Sequence, residues 1–553
     1  MLEVFLFSLG GVWQALRQDF NLLELALLAM LIWWGAPKLQ WLAAWERALT
    51  GFARRRVLAC VSVGVLAIVL RLALLPLLPE PNPVVSDEFS HLLLADTLLA
   101  SRLANPTHPF WVHFESLQII QKPYYVSNFF PGLGATMAVT RWVVGDPWVA
   151  ILVSSGLFCG LLCWALQGWM PARWALFGAV LALLRFSIGS YWVNGYYGGF
   201  LPATGGALVV GAYARLRHRT TVLHSALLAL GIAILASTRP LEGALFSLPF
   251  VLTLPLWRWR ILAPMTVIVG LAVAALGFYC FRVTGSPFKT AYNVSQESYG
   301  WPMAIGWVTP KPIEHRHVEL ARYYRYELRA HQEVDSPVHW LQYLTFRVQD
   351  YWRFFLGPAL SLALVTLPFV WRDRRLRVAF AGFGAACIAV LFNGASMPHY
   401  FAPATAVIVL LLVQCFRHLR VTPRGLAMAR ALPCIMVLVL ALRIGAANLG
   451  LPYTQSVNFQ SWCCPVQGNQ NKARLTGLLN NRPGPHLVFV RAKTDERNLF
   501  QWIYNAADID RSRIVWARDL GPEANRKLID YFSGRQVWMV NPNSERSTIA
   551  QYP

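Results

Sequence analysis

Two adjacent carboxylates and a histidine stand together in Ser86-Asp87-Glu88-Phe89-Ser90-His91. They follow Val57 to Leu78, an apolar run of about 20 residues, the length that crosses a bilayer. Ionisable side chains kept at a membrane face cost free energy unless something uses them. Asp87 and His91 are four apart, so on a helix they share a face. A carboxylate held there beside a histidine can take the proton of a sugar or other hydroxyl as general base. The competing reading is structural: Ser86 caps a helix, and Asp87 and Glu88 merely favour its dipole. With Ser86 as N-cap, the N3 position falls on Phe89 and no capping box is expected. The residues themselves divide evenly between the two readings.

Three polar breaks interrupt later apolar runs, and topology puts them on the same outer face. They are Tyr191-Trp192-Val193-Asn194-Gly195-Tyr196-Tyr197-Gly198-Gly199, then Thr238-Arg239-Pro240-Leu241-Glu242-Gly243, then Met397-Pro398-His399-Tyr400. Outer turns need glycine, proline and interfacial rings in any case, although Asn194 among so many rings has the groups to bind a sugar. Arg239 is harder to dismiss, because the positive-inside rule disfavours arginine outside, and a phosphate partner accounts for it. His399 beside Tyr400 fits an interfacial histidine and a ligand contact equally. In the 284–350 segment, Lys289, Tyr292, Asn293, Glu297, Tyr299 and Trp301 mix rings with polar groups, as carbohydrate-binding surfaces do. The helix expected from Glu314 to Gln332 carries His315, His317 and His331; on a helix, residues two apart diverge, which argues against a metal site there.

These residues have to be positioned by a membrane bundle. Apolar residues make up 56% of the 553-residue chain and charged residues 14%, and the mean hydropathy is +0.42. Soluble domains carry nearly twice that share of charge. The net charge of +22 sits in short basic clusters between apolar runs, which are cytoplasmic loops and not a nucleic-acid surface. No basic n-region with a small-residue cleavage site opens the chain, so no removable signal peptide is expected. The nine cysteines show no metal-ligand spacing, and a bridge between adjacent Cys463 and Cys464 is not favoured by context.

The apolar runs predict about twelve crossings: 21–34, 57–78, 147–168, 174–190, 200–215, 223–239, 240–257, 261–282, 351–371, 377–392, 401–416 and 430–447. The piece 129–145 is expected to lie at the membrane surface without crossing. The fold expected is an all-α polytopic membrane bundle with a small C-terminal α/β outer domain. Residues 1–450 form the membrane part, with outer loops 79–146 and 284–350. Residues 451–553 form the outer domain, with strands at 486–491, 513–517 and 536–540 and a helix over 522–532. No internal repeat is evident.

This arrangement resembles the GT-C superfamily of membrane glycosyltransferases, which includes lipid A aminoarabinose transferases and protein O-mannosyltransferases. The resemblance lies in the acidic pair after a span, the short Pro-containing surface segment, the many spans and the outer tail. In that superfamily an Asp or Glu of the first outer loop is the catalytic acid residue, and Ser86-Asp87-Glu88 matches it in position. Phe130-Pro131-Gly132 is similar to the family's Pro-Pro-Leu segment, and Thr238 to Gly243 is similar to its Thr-Lys-Gly-Pro-type turn. The chain also resembles bacterial membrane proteins of unassigned substrate around Asn105-Pro106-Thr107-His108-Pro109, Asn194 to Gly199 and Ala507-Asp508-Ile509-Asp510. One departure is Phe129, where many members carry a lysine that contacts the lipid phosphate; Lys122, upstream, is the candidate substitute.

The resemblance implies a polyprenyl-phosphate-linked sugar as donor and a glycan, lipid or protein as acceptor. Asp87, with Glu88 as second choice, is the expected base for an inverting transfer. Arg239, Lys122, His399 and Tyr400 are the expected donor-phosphate contacts, and His91, Asn194, Tyr196, Tyr197 and Glu242 the acceptor or sugar contacts. The setting implied is a bacterial inner membrane with a periplasmic tail. An acidic pair is also of a type that binds a divalent ion, but no complete ligand set accompanies it. The rival classes are a lipid or solute transporter, which would place ionisable groups at the midplane within broken helices, and a non-catalytic membrane scaffold. Arg141 and Arg185 are the residues that bear on the transporter.

Overall fold

The computed structural model describes residues 21–35, 40–300, 313–332, 337–391, 397–449, 461–465, 468–491, 502–542 and 546–553. Trp301 and the side chain of His331 lie outside them. The chain divides into two compact units. The first comprises Met1–Glu80, Ile151–Val273 and Glu333–Val466; the second comprises Pro81–Ala150, Ala274–Gln332 and Gln467–Pro553.

The first unit is helical. Among the described residues, five helices are long and apolar enough to cross a membrane: Arg56–Ala73, Trp148–Leu166, Trp259–Thr284, Pro398–Leu419 and Pro423–Ala446. The bent pair Pro337–Phe355 and Gly357–Trp371 makes a sixth if counted as one span, and Phe200–Leu216, Val222–Thr238 and Pro240–Leu252 are shorter apolar helices. At 1.5 Å per residue, a helix of 13 to 17 residues reaches about 20–26 Å, short of the ~30 Å hydrocarbon core. The expected twelve crossings are therefore matched by full-length helices only in part. Close packing uses small residues. Gly156 and Gly160 are four apart on one helix, and a Cβ on Gly64 would lie 2.7 Å from the Gly156 carbonyl, so the two backbones touch as in small-xxx-small packing.

The stretch 351–371, expected as one span, is broken. Helix Pro337–Phe355 stops, and Gly357–Trp371 leaves it at 96°. Gly357 takes φ +64°, a conformation glycine adopts at no steric cost. Buried Arg185 fills the break. Its Nε donates to the Phe354 carbonyl at 2.8 Å, and a guanidinium nitrogen donates to the Arg353 carbonyl. Carbonyls left over at the helix end are thereby satisfied. The adjacent cysteines 463 and 464 are joined through their sulfurs, contrary to the expectation from context. Their segment is pinned locally: the Cys464 amide donates to the Gly189 carbonyl at 2.9 Å.

In the second unit the tail forms a four-stranded sheet in the order Ile514–Arg518, His486–Val490, Gln536–Asn541, Thr548–Gln551. The first three strands are parallel and the last is antiparallel. Helix Pro522–Tyr531 connects Ile514–Arg518 to Gln536–Asn541, the two strands that flank His486–Val490. Period-two alternation sends Leu487 and Phe489 to one face and Val488 and Val490 to the other. The second face packs on Leu475 and Leu479 of helix Gln470–Asn480. The first face packs on Leu93, Phe114, Ile119 and Tyr125, so the sheet is buried on both sides. This explains its apolar strands.

Helix Ser86–Leu99 is held from several sides within this unit. Helix Pro131–Val144 lies against it through Leu133, Gly134, Met137 and Ala138, and Arg141 pairs with Asp96. From the tail, Tyr504 donates its hydroxyl to Asp96 at 3.3 Å and packs its ring 4.7 Å from Phe89. Lys472 is buried with Nζ 4.6, 5.4 and 5.2 Å from the rings of Phe89, Tyr504 and Trp516. It donates to the Trp502 carbonyl at 2.8 Å. Burial among these rings lowers the Lys472 ammonium to about 7.

Candidate functional site

The first turn of helix Ser86–Leu99 sorts the two acids. Val85, in extended conformation, is the N-cap, one residue earlier than expected. Glu88 is then N3, and its Oε2 accepts the amides of Val84 at 2.7 Å and Val85 at 3.2 Å. Valine offers no side-chain acceptor, so only the carboxylate half of a capping box forms. Glu88 is 1% exposed and serves the backbone. Asp87 is half-buried beside it, with the Ser86 hydroxyl 3.4 Å from Oδ1.

A polar lattice lies under this turn. The Ser90 hydroxyl donates to the Gln118 carbonyl at 2.7 Å, lies 2.8 Å from Ser127 Oγ and accepts the Asn128 amide at 3.3 Å. Asn128 Nδ2 donates to Gln118 Oε1 at 2.7 Å, and Gln118 Nε2 donates to Tyr323 Oη at 3.4 Å. The Tyr323 phenol is pushed well up by burial, and further by the carboxylates of Glu327 and Asp87. Tyr323 therefore feels the charge of Asp87. His91 is buried and stacks on Phe129 with centroids 4.5 Å apart. Tyr292 packs against Phe129 and Phe130 at 5.8 and 5.5 Å.

Lys122 projects elsewhere. It is exposed, and its Nζ lies 4.5 Å from the Trp111 ring, on which Arg316 also stacks at 5.0 Å. Nearby, Glu115 is 3% exposed and accepts the Tyr299 hydroxyl at 3.1 Å. Its Oε2 is 3.1 Å from His317 Nε2, an ion-pair distance. Burial pushes the Glu115 carboxyl up, but His317, Tyr299 and Arg316 together hold it below its ordinary value. His315 and His317 both precede helix Val318–Gln332, and His315 instead stacks on Tyr324 at 4.8 Å. No group of three or more His, Cys, Asp or Glu side chains with metal-holding geometry occurs among the described residues.

The other predicted residues belong to the first unit, where four of them converge. Arg239 ends helix Val222–Thr238 and caps Pro240–Leu252. Its guanidinium lies 3.8 Å from the Tyr400 ring centroid. The Tyr191 hydroxyl accepts the His399 amide at 3.0 Å and sits 3.1 Å from His399 Nδ1. With Nδ1 accepting from that hydroxyl, the ring proton of His399 is on Nε2. His399 packs against Tyr400 at 4.9 Å and Tyr197 at 5.6 Å. Tyr196 and Glu242 are buried. Asn194 gives both N–H groups to the turn that carries it, donating to the carbonyls of Ile188 at 3.1 Å and Ser190 at 2.9 Å.

Sequence reasoning missed Ser90, Gln118, Asn128 and Tyr323, and in the first unit Tyr191 and Tyr351. Tyr351 donates to the Met397 carbonyl at 3.2 Å just before the His399 turn. Only Ser90 and Tyr191 carried a signal, each lying inside a motif already singled out.

No family model matches the chain, and no curated protein does. Among solved structures the chain is similar to ArnT from Cupriavidus metallidurans bound to undecaprenyl phosphate, at 14% identity over 87% of this chain and 92% of that one, with a TM-score of 0.49. It is also similar to the oligosaccharyltransferase AglB from Archaeoglobus fulgidus in complex with an inhibitory peptide and a dolichol-phosphate, at 10% identity over 87% of this chain and 69% of that one, with a TM-score of 0.42.

Proposed function

We propose that the protein is a membrane glycosyltransferase that moves a sugar from a polyprenyl-phosphate donor to an acceptor hydroxyl. It would work on the outer face of a bacterial inner membrane, with about twelve crossings and a periplasmic tail. The observation that supports this reading is the division of labour between neighbours: Glu88 accepts two backbone amides at the helix start, while half-buried Asp87 stands three residues before Ser90, which belongs to a dense hydrogen-bonded lattice. A carboxylate on so rigid a base suits a general base, whose proton transfer is worth ~10²–10⁴-fold. Asp87 takes the acceptor proton, the acceptor oxygen attacks the anomeric carbon with inversion, and the C–O bond to the phosphate breaks. Negative charge then grows on the leaving phosphate. Arg239, fixed by its stacking on Tyr400, and the Nε2–H of His399 are the groups suited to receive it. The test is transfer from a polyprenyl-phosphate sugar in membranes, comparing wild type with Asp87→Asn and Glu88→Gln. Wild-type turnover by Asp87→Asn would overturn the assignment.

The transporter reading has one observation in its favour, the 96° break with Arg185 beside it. Arg185, however, donates to the carbonyls that the break exposes, which is what a structural cap does. Donor-independent movement of a labelled polyprenyl-phosphate lipid across proteoliposomes would revive that reading.

A further inference from the structure

Two of the motifs noted in the sequence, 105–109 and 507–510, take no part in the transfer just described, yet they meet. His108 Nε2 lies 3.0 Å from Asp510 Oδ1, across 402 residues of chain. The Phe110 amide donates to His108 Nδ1 at 3.0 Å, which leaves the ring proton on Nε2, pointing at the carboxylate. Tyr531 donates its hydroxyl to the other oxygen, Oδ2, at 3.1 Å. The imidazole is boxed by Phe114, Tyr531 and Phe532 at 4.9, 5.2 and 5.9 Å. Two donors therefore fix the Asp510 carboxylate, although its side chain is 51% exposed.

The oriented carboxylate lines an open surface pocket of about 420 Å³, together with Pro485, Tyr531, Ser533 and Arg535. That volume is within the range of small-molecule sites, roughly 300–1,000 Å³. Arg535 is spent on the backbone, donating to the carbonyls of Asp510 at 2.5 Å and Ser512 at 2.7 Å. We propose that this cavity binds a neutral polyhydroxylated ligand, a saccharide, with Asp510 accepting from its hydroxyls and the ring of Tyr531 facing its C–H side. The charges around it select the class. A carboxylate whose two oxygens already accept from His108 and Tyr531 presents acceptors, so the ligand must donate. Arg535 beside the acid opposes an ammonium group, while the acid opposes an anion. The exposed Tyr531 ring, 43% accessible, supplies the amphipathic surface that sugar rings cover. The site goes beyond the transfer reading and does not depend on it.

Saturation-transfer NMR on the full-length protein in lipid nanodiscs tests this. The probes are the methyl glycosides of glucose, mannose, galactose and N-acetylglucosamine, with galactosamine and glucuronate as charged controls. At least one neutral glycoside should give a signal that falls tenfold or more in Asp510→Asn and in Tyr531→Ala, and that survives in Asp87→Asn. If Asp510→Asn does not fold, Ser533→Trp fills the cavity rim without touching the His108–Asp510 contact, and should abolish the same signal. No signal from any neutral glycoside, a signal insensitive to all three cavity variants, or stronger signals from the charged controls would overturn the proposal. Loss of transfer in Asp87→Asn with glycoside binding intact separates this site from the reaction.

Discussion

The carboxylate of Glu88 accepts the Val84 amide at 2.7 Å, and this contact separates two acids that are adjacent in sequence. Loss of Glu88 is loss of a helix cap, worth about 0.5–2 kcal/mol. Under the proposed reaction, loss of Asp87 is loss of the base. Glu88→Ala should therefore lower thermal stability and leave transfer within a few-fold of wild type, whereas Asp87→Asn should fold normally and lose ~10²–10⁴-fold in rate. Melting curves and transfer assays on the same two preparations check this. The reverse pattern would exchange the roles.

Arg239 should act on turnover. Removing a group that meets charge growing on a leaving phosphate costs ~10²-fold or more in kcat. Arg239→Ala is expected to show that loss. Arg239→Lys should recover only part of it, because lysine keeps the charge without the planar fork. An unchanged kcat in Arg239→Ala would remove this residue from the reaction.

Lys472 should make stability depend on pH. Its folded-state value of about 7 lies well below an ordinary lysine, through burial. Between about pH 7 and the unfolded lysine value near 10.4, the unfolded chain binds a proton that the folded chain does not. Stability therefore rises with pH across that window, by at most about 1.4 kcal/mol per unit. In Lys472→Met this contribution disappears. Melting temperatures of both proteins at pH 7, 8 and 9 should diverge most at pH 7, with the variant the more stable; parallel curves would show that the lysine is charged in place.

Gly357→Ala should destabilise the first unit. A side chain at φ +64° costs roughly 1–2 kcal/mol, and the new Cβ would lie 3.1 Å from the Arg185 guanidinium. Denaturation in mixed detergent micelles should show the shift, and an equal shift in Arg185→Met would identify one shared structural cause.

Elements that follow from local pattern were legible in the sequence. The strands around Leu487, Val515 and Val537 and the helix from Pro522 come from β-branched runs and a crossover, and each expected boundary lies within a few residues of the observed one. The break at Gly357 was not legible, because the residue that caps it, Arg185, is some 170 positions away. The role of Glu88 was hidden because its N-cap is a valine, which lacks the side-chain oxygen that marks a capping box. Gln118 and Tyr323 join the candidate site from segments whose sequence spacing points nowhere, and only the folded chain links them to the helix that bears Asp87.

The first face of the tail sheet is closed by Leu93, Phe114, Ile119 and Tyr125, and this sets a timetable. Helix Ser86–Leu99 leaves the ribosome early, but Leu487 and Phe489 follow only after most of the chain has been made. At roughly 5–20 residues per second, the interval is on the order of tens of seconds. Throughout it, the helix that bears Asp87 waits with an uncovered apolar flank. A chain stopped short of the tail would keep Asp87 on a helix that never acquires its seat.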